Sequence, residues 1–132
     1  MTQLEKCLMH IGLHKTGTTQ IQELFHINIE NLKTSEIACS GRFGQTCHQI
    51  YNMLYQSKPG VEEWIERMTG TSKSLIFSNE DIIGKYNKGH QGMIYPKRKV
   101  YLNRFINALP NHTSVELLLS VREYGSWFES SY

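Results

Sequence analysis

This chain has few cysteines, little net charge and no long apolar run, and each scarcity removes a class of protein. Cys7, Cys39 and Cys47 form an odd set without paired spacing. That argues against a structural disulfide or a zinc site and for a reducing, cytoplasmic compartment. A formal charge of +2 over 132 residues is too small to drive binding to nucleic acid or to an anionic membrane. Any attraction for a polyanion must therefore be local. The apolar run Cys7-Leu8-Met9-His10-Ile11 is far below membrane-spanning length and has no small-residue cleavage site, so neither a span nor a secretory signal is expected. His26, His48, His90 and His112 show no ligand spacing, so no metal site is expected. His10, inside the first apolar run, reads as a satisfied core or edge histidine. Internal repeats, low-complexity tracts and linkers are also lacking.

What is present is an alternation of strand-like and helix-like segments. The first strand runs from about Cys7 to Ile11. A helical pattern opens near Thr19 and carries Ile21, Leu24, Phe25 and Leu32 at near-helical spacing. Thr18 or Thr19 is its cap, and Glu23 in its first turns suits the helix dipole. Glu36-Ile37-Ala38-Cys39-Ser40 is a short second strand. Ile50, Tyr51, Leu54 and Tyr55 mark a second helix ending before Pro59-Gly60; Val61, Trp64, Ile65 and Met68 mark a third, closed by Gly70. Ser74-Leu75-Ile76-Phe77-Ser78 is the third strand, and the stretch from Gly84 to Pro96 reads as a loop. Lys97-Arg98-Lys99 is a solvated helix start. Val100, Tyr101, Arg104, Phe105 and Leu109 form the next helical face, stopped by Pro110-Asn111. Val115-Glu116-Leu117-Leu118-Leu119-Ser120-Val121 has the pattern of a buried strand.

Strands separated by helices imply right-handed crossovers, hence an α/β domain with a parallel sheet and helices on both faces, here spanning residues 1–132 as one unit. Ligands of such sheets sit at the carboxyl ends of the strands. The loop from Gly12 to Thr19, the Ser78-Asn79-Glu80 segment and Arg122 are thus expected at one edge.

The loop Gly12-Leu13-His14-Lys15-Thr16-Gly17-Thr18-Thr19 carries the chemistry. Strand, glycine-bearing turn, then helix is the layout that points backbone N–H groups and a helix dipole at an anion. The spacing from Gly12 to Gly17 fits the first part of GxxxxGK[ST], but Thr18 stands where the lysine of that pattern belongs, and Lys15 lies earlier. The shift points to a phosphoanion other than a Mg²⁺-bound nucleoside triphosphate.

His-Lys-Thr-Gly-Thr-Thr after a strand resembles the 5′-phosphosulfate loop of sulfotransferases that use 3′-phosphoadenosine-5′-phosphosulfate (PAPS). The far end resembles the same family: a strand ending in Arg122, with Ser130 eight residues on and Tyr132 following. The proline common two places after that arginine is replaced by Tyr124. Ser78-Asn79-Glu80 at a strand end is similar to a bacterial-type branch. The resemblance implies a P-loop nucleoside-triphosphate-hydrolase-like fold of sulfotransferase type. It also implies PAPS as co-substrate, without a metal. Relatives of this kind extend well past the Arg…Ser element, so the family domain is expected to be incomplete here. An incomplete sheet would expose Leu117 and Leu119 and invite self-association.

The expected reaction is transfer of SO₃ from PAPS to an acceptor hydroxyl of a carbohydrate or other small molecule. Charge builds on the oxygen bridging sulfur and 5′-phosphate, and Lys15 is placed to hydrogen-bond it. Thr16, Gly17, Thr18 and Thr19 would donate to the 5′-phosphate, and Arg122 and Ser130 would hold the 3′-phosphate. Glu80 leads as acceptor of the substrate proton, with His14 second; Glu80 could equally be a helix-initiating carboxylate capped by Asn79. Two other readings stay open: a catalytically incomplete nucleotide-binding or association module, and a small-molecule P-loop kinase.

Overall fold

A computed structural model describes residues 3–12, 18–40, 45–78 and 97–120. Four strands form a parallel sheet: β1 (Lys6–Gly12), β2 (Ile37–Ser40), β3 (Ser74–Ser78) and β4 (Ser114–Ser120), in the order β2-β3-β1-β4. Between them lie α1 (Thr18–Ile27), α2 (Ile29–Thr34), α3 (Gln45–Tyr55), α4 (Val61–Thr69) and α5 (Arg98–Asn107). The chain is thus an α/β protein with a parallel sheet and helices.

Strand order explains where a ligand would go. From β1 the chain moves outward past β3 to β2; it then returns to β3 and steps over β1 to β4. The connections after β1 and β3 therefore run in opposite directions, the arrangement in which ligands of such sheets sit at the carboxyl ends of the two neighbours. Right-handed crossovers send α1 and α2 to one face and α3, α4 and α5 to the other.

The core lies on the face of α3, α4 and α5. Cys7, Met9 and Ile11 of β1 point the same way as Ala38, Leu75 and Phe77, because paired residues of a sheet share a face. Against them pack Ile50, Leu54, Trp64, Ile65, Phe105 and Leu109. Phe77 sits at the centre, edge-on to Trp64 with ring centroids 6.0 Å apart and tilted over Phe105 at 4.5 Å. The opposite face is thinly covered: Leu8 and Ile76 are half-buried, α2 buries nothing, and the buried residue of α1 among those described is the polar Gln22.

Local signals account for most helix ends. Gly60, at φ +109°, opens α4; Gly70, at φ +52°, closes it with its N–H on the Glu66 carbonyl. Both occupy backbone that a Cβ would strain. The basic residues Lys97, Arg98 and Lys99 are exposed at the start of α5, as expected.

Three sequence expectations need correction. The continuous helix expected from Thr19 to Leu32 is broken at Asn28, whose side-chain amide donates to the Leu24 carbonyl at 2.8 Å and competes with the helical ladder. Thr18 and Thr19 lie within α1 and do not precede it as its cap, while Glu23 falls in the second turn and the first holds no acidic residue. Glu36 is not strand: at φ +57° it turns the chain, its carbonyl taking the N–H groups of Lys73 and Ser74 while its carboxylate meets Lys73 Nζ at 2.9 Å. Finally, while the exposure expected of Leu117 and Leu119 in an incomplete sheet is present, β4 among the described residues is an edge strand and lacks the burial its pattern suggests. Among the described residues it pairs with β1 alone, and Leu117, Leu118 and Leu119 are 58%, 46% and 56% exposed. Its apolar run resembles a central strand in composition, but no helix or neighbouring strand among the described residues covers it.

Candidate functional site

The carboxyl ends of β1, β3 and β4 lie side by side. In register, His10 pairs with Ser78, and Gly12 pairs with Ser120. At ordinary strand spacing the β3 and β4 ends are about 10 Å apart, with β1 midway between them. Residue 13 follows directly on β1, residue 79 on β3 and residue 121 on β4, so three segments leave neighbouring points of one edge. Five residues separate the end of β1 from α1, which begins at Thr18, so a strand precedes and a helix follows the expected anion-cradling segment. The absence of acid from the first turn of α1 leaves its dipole uncompensated by a carboxylate there.

A polar cluster lies beneath this edge. His10 is fully buried; its Nδ1 is 2.7 Å from Ser78 Oγ and its Nε2 is 2.6 Å from Ser120 Oγ. A neutral imidazole has one N–H donor and one acceptor, and a hydroxyl can play either part, so both ring nitrogens are satisfied in either tautomer. Burial pushes the His10 pKa below the ordinary histidine value. Gln22 of α1 donates its side-chain N–H to the Ser78 carbonyl at 3.1 Å. Ser78 is also fully buried, and Ser120 is partly exposed. This is not a nucleophilic triad: a hydroxyl, not a carboxylate, stands behind the ring. Its members hold one another and the strand ends. The expectation that His10 is a satisfied buried histidine agrees with this geometry. Gln22 and Ser120 carried no signal in the sequence beyond being polar residues near apolar segments, because their partners lie far away along the chain.

The other polar groups at this edge are fewer. Ser40, at the end of β2, is buried with no hydrogen-bond partner for its hydroxyl among the described residues. Burial raises the Cys7 thiol to about 12 and that of Cys39 to about 11. Neither is a ready thiolate. Among the described residues no cluster of His, Cys, Asp or Glu could hold a metal, and no helix is long and apolar enough to cross a membrane.

Of the expected site residues, Thr18 and Thr19 open α1. His14, Lys15, Thr16, Gly17, Glu80, Arg122 and Ser130 lie outside the described residues, as does the expected loop from Gly84 to Pro96. A cavity of about 430 Å³ among the described residues lies away from this edge. It is bounded by the start of α4 and by the turn leading into β4, where Glu62, Glu66, Asn107 and His112 line it. Two carboxylates make it a poor seat for a phosphosulfate, so its size does not outweigh the topology of the carboxyl edge. Compared with known proteins, the chain matches no protein-family model, no curated sequence and no solved structure.

Proposed function

We propose that this protein binds PAPS across the carboxyl ends of β1, β3 and β4 and transfers its sulfuryl group to an acceptor hydroxyl. One observation carries the reading: the segments bearing Lys15, Glu80 and Arg122 leave three adjacent strand ends around a topological switch point. A doubly phosphorylated adenosine needs two separated anion grips with the reacting group between or beside them. Here the loop after β1 would take the 5′-phosphosulfate, with Lys15 on the bridging oxygen and Thr16, Gly17, Thr18 and Thr19 around the phosphate. Arg122 and Ser130, following β4, would take the 3′-phosphate. Glu80, following β3 on the other side of β1, would receive the acceptor proton, with His14 as the rival base. The lack of an acidic first turn in α1 supports an anion at that helix start. The acceptor class, a carbohydrate or other small hydroxyl compound, and a cytoplasmic location belong to the same reading.

Calorimetry with adenosine 3′,5′-bisphosphate and with MgATP tests it. The bisphosphate should bind, and EDTA should leave that binding unchanged. Preference for MgATP would instead establish the kinase reading.

A second reading has its own observation. The exposed leucines of β4, on an edge strand with a free side among the described residues, favour an association module in which a second copy pairs along that edge.

A further inference from the structure

His10 does more than fill space in its strand. Four polar side chains from β1, β3, β4 and α1 meet at one place on a sheet whose paired positions nearer the amino end, Leu8 and Ile76, are apolar. Burying such a cluster costs desolvation and is recovered only when every member is satisfied. An apolar residue at position 10 would be simpler packing, but it would leave the strand ends joined by backbone alone. Among the described residues, β1 pairs with β3 up to His10 and Ser78 and with β4 up to Gly12 and Ser120. The imidazole therefore bridges the last described rung on both sides.

The geometry points to His10 as a positioning residue that, by holding Ser78 and Ser120 together, fixes the spacing of the β3 and β4 ends on either side of β1. Gln22 extends the same strap to α1 through the Ser78 carbonyl. The consequence for ligand binding rests on the function proposed above: the strap would set the distance between the 5′ grip following β1 and the 3′ grip following β4. The strap itself does not depend on that reading.

The experiment separates the two. Ser120 is only partly buried, so Ser120→Ala removes one arm of the strap and leaves the apolar core intact. Adenosine 5′-monophosphate reports the first grip alone; adenosine 3′,5′-bisphosphate reports both. Loss of one positioned hydrogen bond should leave monophosphate affinity within about twofold and cut the gain contributed by the 3′-phosphate by roughly tenfold. Ser120→Thr, which keeps the hydroxyl, should restore that gain. Equal weakening of both ligands, no change in either, or a Ser120→Thr protein that behaves like Ser120→Ala overturns the inference. If the parent protein binds neither ligand, the proposed function fails and the strap is judged by NMR alone. Ser120→Ala should then move the His10 ring nitrogens and, across β1, the amides of Phe77 and Ser78. Shifts confined to β4 and β1 overturn it.

Discussion

The side-chain amide of Gln22 reaches out of α1 to the carbonyl oxygen of Ser78, 3.1 Å away and enclosed. Gln22 is a buried polar residue of a helix that leaves Leu24 and Ile27 exposed, and this bond ties α1 to the end of β3. Gln22→Ala should lower unfolding free energy by about 1–3 kcal/mol, because the carbonyl loses its donor without gaining water. Gln22→Glu adds a pH signature. An ionised carboxylate facing a carbonyl in a buried site is disfavoured, so the introduced carboxyl has a folded pKa above its unfolded value of about 4.3. Its contribution is present in full below that unfolded value and is lost as pH rises through the folded one. Urea unfolding from pH 4 to pH 7 should show the Gln22→Glu protein falling away from the parent as pH rises. Parallel curves would mean that Gln22 is solvated.

The buried thiols predict alkaline weakening. Cys7 is raised from 9.0 to about 12 and Cys39 to about 11, in both cases because burial disfavours the thiolate. A folded value above the unfolded one gives stability that is complete below pH 9 and declines as pH rises towards 11 and 12. Each thiol contributes a slope of up to ~1.4 kcal/mol per pH unit in that window. Lysine and tyrosine ionisation act in the same range, so the informative quantity is the difference between parent and Cys39→Ala, measured by urea midpoints from pH 8 to pH 11. The two should diverge above pH 9; a constant offset would show that Cys39 is open to water.

How far the sequence foretold this fold depends on how local each signal was. Pro59-Gly60, Gly70 and Pro110 mark helix boundaries through their own backbone limits, and the structure places helix ends beside them. The break at Asn28 is equally local, yet it comes from a side chain bonding four residues back, which apolar periodicity does not register. β4 shows a different limit: a run such as Leu117-Leu118-Leu119 records what a strand can bury, not whether neighbours arrive to bury it, and the exposure of Leu117 and Leu119 is the one expected of an incomplete sheet. The site divides in the same way. That the segments after β1, β3 and β4 share an edge followed from alternation and handedness alone. The bonds that join those edges are separated by 68 and 110 residues along the chain, and no short-range pattern announces them.

Exposure of β4 makes a prediction about assembly. Antiparallel pairing of two copies about Leu117 would set Glu116 against Leu118, Val115 against Leu119 and Ser114 against Ser120, with no like charges opposed. Sedimentation velocity across a hundredfold range of concentration, on the order used to resolve weak self-association, should show a reversible dimer. Leu118→Glu should weaken it by setting a like charge directly against Glu116 of the other copy. A sedimentation coefficient that is constant over the whole range removes the association reading and leaves β4 an exposed edge.

Lys15 and Glu80 should separate by the step each affects. If Lys15 steadies the oxygen that leaves with the 5′-phosphate, its interaction strengthens as the S–O bond breaks and is weaker in the ground state. Lys15→Ala should therefore lower the rate of sulfate transfer from PAPS by roughly 100-fold or more, while affinity for adenosine 3′,5′-bisphosphate, which has no bridging oxygen, changes by only a few-fold. Glu80→Gln keeps size and polarity but removes the proton acceptor, so transfer should fall by about 10²–10⁴-fold with bisphosphate binding intact. The parent pH–rate profile should rise with ionisation of one group, and Glu80→Gln should abolish that limb. If the limb survives in Glu80→Gln and disappears in His14→Gln, the histidine is the base. Should Lys15→Ala lose bisphosphate affinity and transfer rate in the same proportion, the lysine is a ground-state anchor for phosphate, and stabilisation of the leaving oxygen must come from the backbone donors at the start of α1.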